Sequence, residues 1–245
     1  MSDQKSPQHN ALLGALRGEE RTHLFAQLEA VPLTLGQILC EAGEPFTHAY
    51  FPVEGIVSIL YVMENAASAE IAVVGNEGMI GVALFMGGQS TLSRSIVQNA
   101  GYAYRMSGQH IQQAFNRGGR FQTLLLHFVH ALITQMVQTA ACNRHHSVDQ
   151  QLCRWLLMSL DRLPSNQLRM TQKLIGNMLG IESKGVTAAA FVLEKAGLIT
   201  FDNGHITVVD RAGLEARSCE CYNVVKKECD RLIQSAASDG GPGPN

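Results

Sequence analysis

RMTQKLIGNMLGIESKGVTAAAFVLEKAGLITFDNGHITVV, residues 169–209, decides the fold. Thr171, a residue suited to cap a helix, precedes Leu174, Ile175, Met178 and Leu179, apolar positions at helical spacing. Gly180 supplies the stop. A second helix follows, with Ile181, Val186, Ala189, Ala190 and Leu193 on its buried face, and two short helices joined by a glycine-containing turn form a helix-turn-helix. Beyond Gly197 the apolar runs 198–201 and 205–209 flank Asp202, Asn203 and Gly204, and Asn-Gly between such runs signals a tight hairpin. Helix, turn, helix and hairpin make a winged helix.

The second helix leaves a small, polar face. Ser183, Lys184 and Thr187 lie on it, with Ala188 shading toward the core, and short side chains near the start of such a helix are suited to base edges in a major groove. Phosphate contacts fall to Arg169, Lys173, Lys184 and Lys195, and to Thr171 and Gln172 at the start of the first helix, where unpaired N–H groups favour anions. The formal charge of −2 does not advertise a nucleic-acid partner. Residues 148–234 hold 11 Lys/Arg against 10 Asp/Glu, and residues 1–147 hold 8 against 10, so local placement must carry any affinity for DNA.

Upstream, residues 9–30 read as two short helices around Gly18-Glu19-Glu20, closed by Pro32. Residues 33–106 change to short β-type runs punctuated by glycine, the pattern of an antiparallel barrel or jelly roll. Helices return at residues 109–115 and from Arg120 to about His146. In the longer one Phe121, Leu125, Phe128, Leu132, Gln135 and Thr139 recur at alternating steps of four and three, the seam of a coiled coil, and Leu124, Ala131, Met136 and Ala140 broaden the stripe. Ser147 or Asp149 caps a helix over residues 148–163 that buries Leu152, Trp155, Leu156, Ser159 and Leu163 and breaks at Pro164. After the hairpin, Asp210 caps a last helix reaching about Gln234, which packs through Leu214, Val224, Val225, Leu232 and Ile233.

The fold expected is therefore α+β: helices and an antiparallel β-roll over residues 9–106, a long helix and hinge over 107–147, a winged helix over 148–234, and a disordered Gly/Pro-rich tail over 235–245. A chain of 245 residues with 46% hydrophobic residues can bury proper cores in one or two domains. No apolar run approaches the roughly 20 residues that span a bilayer, and the opening MSDQKSPQHN is polar, so the expectation is a cytoplasmic chain with no membrane partner.

Residues 171–209 resemble the C-terminal domain of the Crp/Fnr family of bacterial transcription regulators. Gly43-Glu44, YFPVEG at residues 50–55, Gly78-Met79-Ile80-Gly81 and Arg94-Ser95 resemble that family's cyclic-nucleotide-binding β-roll, so the likeness covers about residues 20–210. It implies a homodimer joined through the long helix and reading a palindromic operator in double-stranded DNA, with RNA polymerase as a further partner. It also implies switching by a change of inter-domain angle about residues 144–148, since the two recognition helices must stand about 34–36 Å apart.

Two departures matter. In the family a Glu after the second glycine holds the ribose hydroxyl and an Arg pairs with the cyclic phosphate. Here Arg94 matches the Arg and Ser95 follows, but Val82 stands after Gly81 where the Glu belongs. Valine accepts no hydrogen bond, and an unpaired buried polar group costs about 1–3 kcal/mol, so cyclic AMP in its usual pose is not expected. Arg94 is open either to another anion or to a purely structural role. The recognition helix carries Ser183, Lys184 and Ala188 where relatives have Arg, Glu and Arg, so the usual guanine contact is missing and the operator should differ.

Other chemistries have less support. Six cysteines, at 40, 142, 153, 219, 221 and 229, read as free thiols. Cys219, Cys221 and Cys229 form C-x-C-x7-C, but a metal site wants a fourth ligand and wider first spacing, so thiols on a helix are the favoured reading and no metal is assigned. Histidines 127, 130, 145 and 146 fit solvent exposure and a helix C-terminus more simply than a haem or metal site. Residues 1–39 hold none of the cysteines that Fnr-type oxygen sensing needs. The alternative to a regulator is a small-molecule- or metal-binding barrel of cupin type with no DNA role, yet the barrel segment offers His48 alone where a cupin needs His-x-His and a Glu. G-x-S-x-G, P-loop and H-E-x-x-H patterns are missing as well. No catalytic residue and no cofactor is expected, and the effector is unspecified.

Overall fold

The computed structural model describes residues 6–238 except Ala66, Gln89 and Asn203. Helix α1, Ala11–Gly14, is capped by the buried Asn10, whose side-chain oxygen accepts from the Leu12 and Leu13 amides. The Asn10 amide nitrogen donates to Pro52 O and Gly78 O at 2.9 and 2.8 Å, which ties the helix to the sheet behind it. Helix α2, Gly18–Phe25, follows.

The roll contains β1 (Glu29–Leu33), β2 (Ile38–Cys40), β3 (His48–Val62), β4 (Ser68–Val74) and β5 (Ser93–Ser107), antiparallel in the order β1-β5-β3-β4, with β2 also on β5. Pro32 does not close the helical segment: it lies within β1 opposite Tyr102, and β1 is an edge strand, where the missing N–H is tolerated. Register shifts near Pro52, Glu54 and Ile56 mark irregularities that bend the long β3. Residues 56–60 of β3 are buried without alternation because both faces are covered. Val57 and Ile59 pack into the roll, whereas Ile56 and Leu60 pack under the C-terminal domain.

Helix α3, Gly108–Arg117, is capped by Ser107, and α4, Gly119–His145, runs for 27 residues. The stripe read as a coiled-coil seam faces inward. Phe121, Leu125, Phe128, Leu132, Gln135 and Thr139 are all buried within the chain, and Gln135 bonds both backbone groups of Val73 on β4, at 2.6 and 3.1 Å. The outward face carries a second 4-3 series, Leu126, His130, Ile133, Val137, Ala140 and Arg144; Leu126, Ile133 and Val137 are 51, 52 and 59% exposed. By length and composition α4 is apolar enough to cross a membrane, which the interrupting Gln, Thr and His residues obscured in the sequence; 44% of its apolar stretch is buried inside the chain.

Ser147 and Gln150 form a capping box at the start of α5, Val148–Leu160. Next come β6 (Gln167–Arg169), α6 (Gln172–Leu179), α7 (Ser183–Lys195), β7 (Ile199–Asp202) and β8 (His205–Val208). The wing is three-stranded, in the order β6-β8-β7, so the expected hairpin gains a strand; Asn203 at its tip lies outside the described residues. The single last helix is instead two, α8 (Arg211–Arg217), capped by Asp210, and α9 (Glu220–Ser238). The break is at Ser218, which is extended and whose hydroxyl donates to Glu215 O at 2.8 Å. Helix α9 then runs back along α4 and α1, and Leu232 joins the core of the roll. Of the tail expected to be disordered, residues 235–238 are helical, and 239–245 lie outside the described residues.

Candidate DNA interface, roll cavity and inter-domain joint

The α6–α7 unit is fixed by short-range chemistry. The Thr171 side chain accepts from the Leu174 amide at 3.3 Å, and Gly180 ends α6 at φ +69°, in the left-handed region that favours glycine. The turn closes against Gly176, where an added Cβ would stand 2.8 Å from Ile181 O. Across the pair, the Thr187 hydroxyl lies 2.6 Å from Gln172 Oε1, and Glu194 at the far end of α7 accepts from the Phe201 amide of the wing at 2.7 Å. Val186, Ala189, Ala190 and Leu193 bury the inner face of α7.

The sequence-predicted residues all lie on this unit, with Lys195 at the opposite end of α7 from Ser183 and Lys184. Ser183, Lys184 and Thr187 are exposed on α7; Thr171, Lys173 and Lys195 are exposed, and Gln172 is half-buried at the start of α6. Arg169 is exposed on β6 opposite His205. Ala188 does not shade toward the core: it is exposed, one helical step from the buried Ala189. Lys184 Nζ pairs with Glu182 Oε2 at 2.7 Å, but both ends are exposed, so the pair contributes little and its ammonium is available. Sequence reading missed Phe191, which is 65% exposed one turn after Thr187 and Ala188. An aromatic on an expected recognition face was the available signal.

The effector residues separate. Gly81, Val82 and Ser95 line a cavity of about 90 Å³ with Phe46, Ile59 and Met136, so its wall is mainly apolar. Arg94 is not among the lining residues; it points the other way along β5, where its Nε donates to Glu41 at 2.8 Å. The hydrogen bond from Arg94 holds the Glu41 carboxyl below the ordinary carboxylate value.

Helix α5 and the turn after it fasten the winged helix to the roll through buried polar pairs. Trp155 Nε1 donates to Glu70 Oε1 at 3.0 Å, Gln98 Nε2 to Ser159 Oγ at 3.3 Å, and Arg162 Nε to Glu77 Oε1 at 2.7 Å. Burial pushes the Glu70 carboxyl up to about 7, against the pull of Ser58, Arg154, Trp155 and Arg162. Arg154 donates to Thr139 Oγ1 on α4 at 3.1 Å.

The cysteines divide differently from their spacing. Cys229 lies apart, 3.9 Å from Arg162 Nη2, while Cys219 and Cys221 meet Cys142 and His146 from the end of α4. Among the described residues this is the one group of three or more potential metal ligands, so the roll holds no cupin-like set; His48 sits beside Thr47. The bond to Cys142 draws the Cys219 thiol below its ordinary value, and burial pushes Cys221 above it. His127, His130 and His145 are exposed, and His130 Nδ1 lies 3.4 Å from Glu228 of α9.

Residues 30–117 match the cyclic nucleotide-binding domain family and residues 150–217 the Crp-like helix-turn-helix domain family. No curated protein sequence matches the chain. Among solved structures, a Crp/Fnr-family regulator from Eubacterium rectale is similar with a TM-score of 0.67 at 14% identity, over 85% of this chain and 98% of that one. FixK2 from Bradyrhizobium japonicum gives 0.68 at 15%, over 78% and 98%. The c-di-GMP-responsive regulator CLP from Xanthomonas campestris gives 0.64 at 15%, over 77% and 97%. At such identities these likenesses show the fold. With both family domains matched in order along a chain that folds in this way, the protein belongs to the Crp/Fnr family of transcription regulators.

Proposed function

We propose that the chain is a homodimeric, sequence-specific regulator that reads a palindromic operator with α7 and does not use cyclic AMP in its family's usual pose. The exposed face of α7 carries this reading. Ser183 and Thr187 can hydrogen-bond base edges, Lys184 can donate to guanine or phosphate, and Ala188 and Phe191 suit thymine methyl groups. Arg169, Lys173 and Lys195, with the start of α6 at Thr171 and Gln172, supply phosphate contacts.

The outward stripe of α4 supports the dimer. Leu126, Ile133 and Val137 recur at coiled-coil steps on a face that its own chain leaves exposed, the pattern by which two such helices pair. The roll cavity supports independence from a nucleotide: it holds about 90 Å³, small-molecule sites run roughly 300–1,000 Å³, Val82 offers no acceptor, and Arg94 is engaged by Glu41. The setting is the cytoplasm, with RNA polymerase as further partner, and catalysis is no part of this role.

Sedimentation equilibrium tests the assembly. The wild-type chain should weigh as two copies at micromolar concentration, and Ile133→Asp should weigh as one while keeping its circular dichroism. A monomeric wild type, or an Ile133→Asp variant that stays dimeric, would contradict the proposed interface.

A further inference from the structure

Cys142 and His146 are four residues apart at the C-terminal end of α4, so they share one helix face. Cys219 and Cys221 flank the first residue of α9. One ligand atom from each of the four lies within 4.8 Å of all the others. Around a tetrahedral zinc, with Zn–S about 2.3 Å and Zn–N about 2.0 Å, neighbouring donors stand about 3.5–3.8 Å apart. Cys142 Sγ is 3.6 Å from Cys219 Sγ, and Cys221 Sγ is 3.6 Å from His146 Nδ1. A polynuclear cluster, several atoms across, would hold its thiolates farther apart.

The surroundings fit a metal as well. His146 Nε2 lies 3.2 Å from Glu220 Oε2, the outer carboxylate that typically fixes the tautomer of a metal-bound histidine, and Nδ1 is thereby turned to the cysteines. All three cysteines are buried. Three thiolates and a neutral imidazole on a divalent ion carry a net single negative charge, and the buried guanidinium of Arg154 acts on Cys142 as a neighbouring positive charge. A disulfide between Cys142 and Cys219 would leave Cys221, His146 and Glu220 without a purpose in the arrangement. Sulfur and nitrogen donors with no oxygen favour zinc over magnesium or calcium.

We propose that Cys142, His146, Cys219 and Cys221 bind a structural zinc ion at the neck of the DNA-binding domain. Residues 147–218, which contain α5 to α8, lie between the two ligand pairs, so one ion fastens both ends of that domain to the end of α4. The hinge and the break between α8 and α9 become parts of one site. The assignment stands independently of any DNA role.

Metal analysis of the full chain, purified under reducing conditions without chelator, tests it. The expected result is one zinc per chain. Cobalt substitution should give the visible bands of a tetrahedral ion with thiolate-to-metal charge transfer. Cys219→Ser and His146→Ala should lose bound zinc, whereas His146→Cys, which restores a fourth ligand, and Cys229→Ser, outside the cluster, should keep it. Removing zinc should lower the melting temperature by several degrees, and zinc but not magnesium should restore it. A chain with six free thiols that takes up no zinc on titration would overturn the proposal, as would iron with acid-labile sulfide in its place, or zinc retained by Cys219→Ser and lost by Cys229→Ser.

Discussion

Lys184 and Glu70 show how differently one charge behaves on a surface and in an interior. Lys184 stands in water beside Glu182, so its ion pair stabilises the fold little, and its value lies in what approaches it. Lys184→Ala should leave stability unchanged, weaken operator binding about tenfold, and reduce the salt dependence by the release of about one counterion; binding measured at several salt concentrations checks both. Glu70 is buried with its carboxyl raised to about 7 from an ordinary 4.5. Between those values the folded chain holds a proton that the unfolded chain releases, so stability falls as pH rises through this window, by on the order of 3 kcal/mol at pH 8. Glu70→Gln keeps an acceptor for Trp155 Nε1 and removes the charge. Denaturant unfolding should show it more stable than wild type at pH 8 and similar at pH 4.5; an unchanged pH slope would mean that another group carries it.

Helix α4 explains why some elements were legible in the sequence and others were not. It carries two interleaved stripes at coiled-coil spacing, one through Phe121 and Leu125, the other through Leu126 and Ile133, and spacing alone cannot say which meets the roll. Gln135 decides it, because its amide satisfies both backbone groups of Val73, a long-range pairing with no local signature. The inward stripe is therefore polar at Gln135 and Thr139, and the apolar residues left outside are those on which the dimer prediction rests. Helices α6 and α7 were readable because the Thr171 cap, the glycine turn and the 3.6-residue spacing are all local. The strand β6 was not: three residues hold no periodicity, and it exists only as the partner of β8. The α8–α9 break was hidden for a similar reason, since a serine can continue a helix and nothing local in the sequence announces the extended backbone at Ser218.

The assembled molecule joins regions that are remote in sequence. The proposed metal ligands were half visible as Cys219 and Cys221, but Cys142 and His146 lie on the far side of the DNA-binding domain, and no spacing rule connects them. Arg94 and Ser95 are consecutive in sequence, yet they face opposite sides of one strand, so the cavity receives the serine and not the guanidinium. The roll, with its small apolar cavity, is fastened by α5 and the turn after it to a winged helix whose outer α7 face is exposed. Selection of random duplex DNA by the purified full chain with no nucleotide added, followed by sequencing of what it retains, tests whether the chain reads an operator without an effector. Enrichment of a two-fold-symmetric site with half-sites about one helical turn apart is the result expected. No enrichment without a nucleotide, but enrichment once cyclic AMP is added, would contradict it.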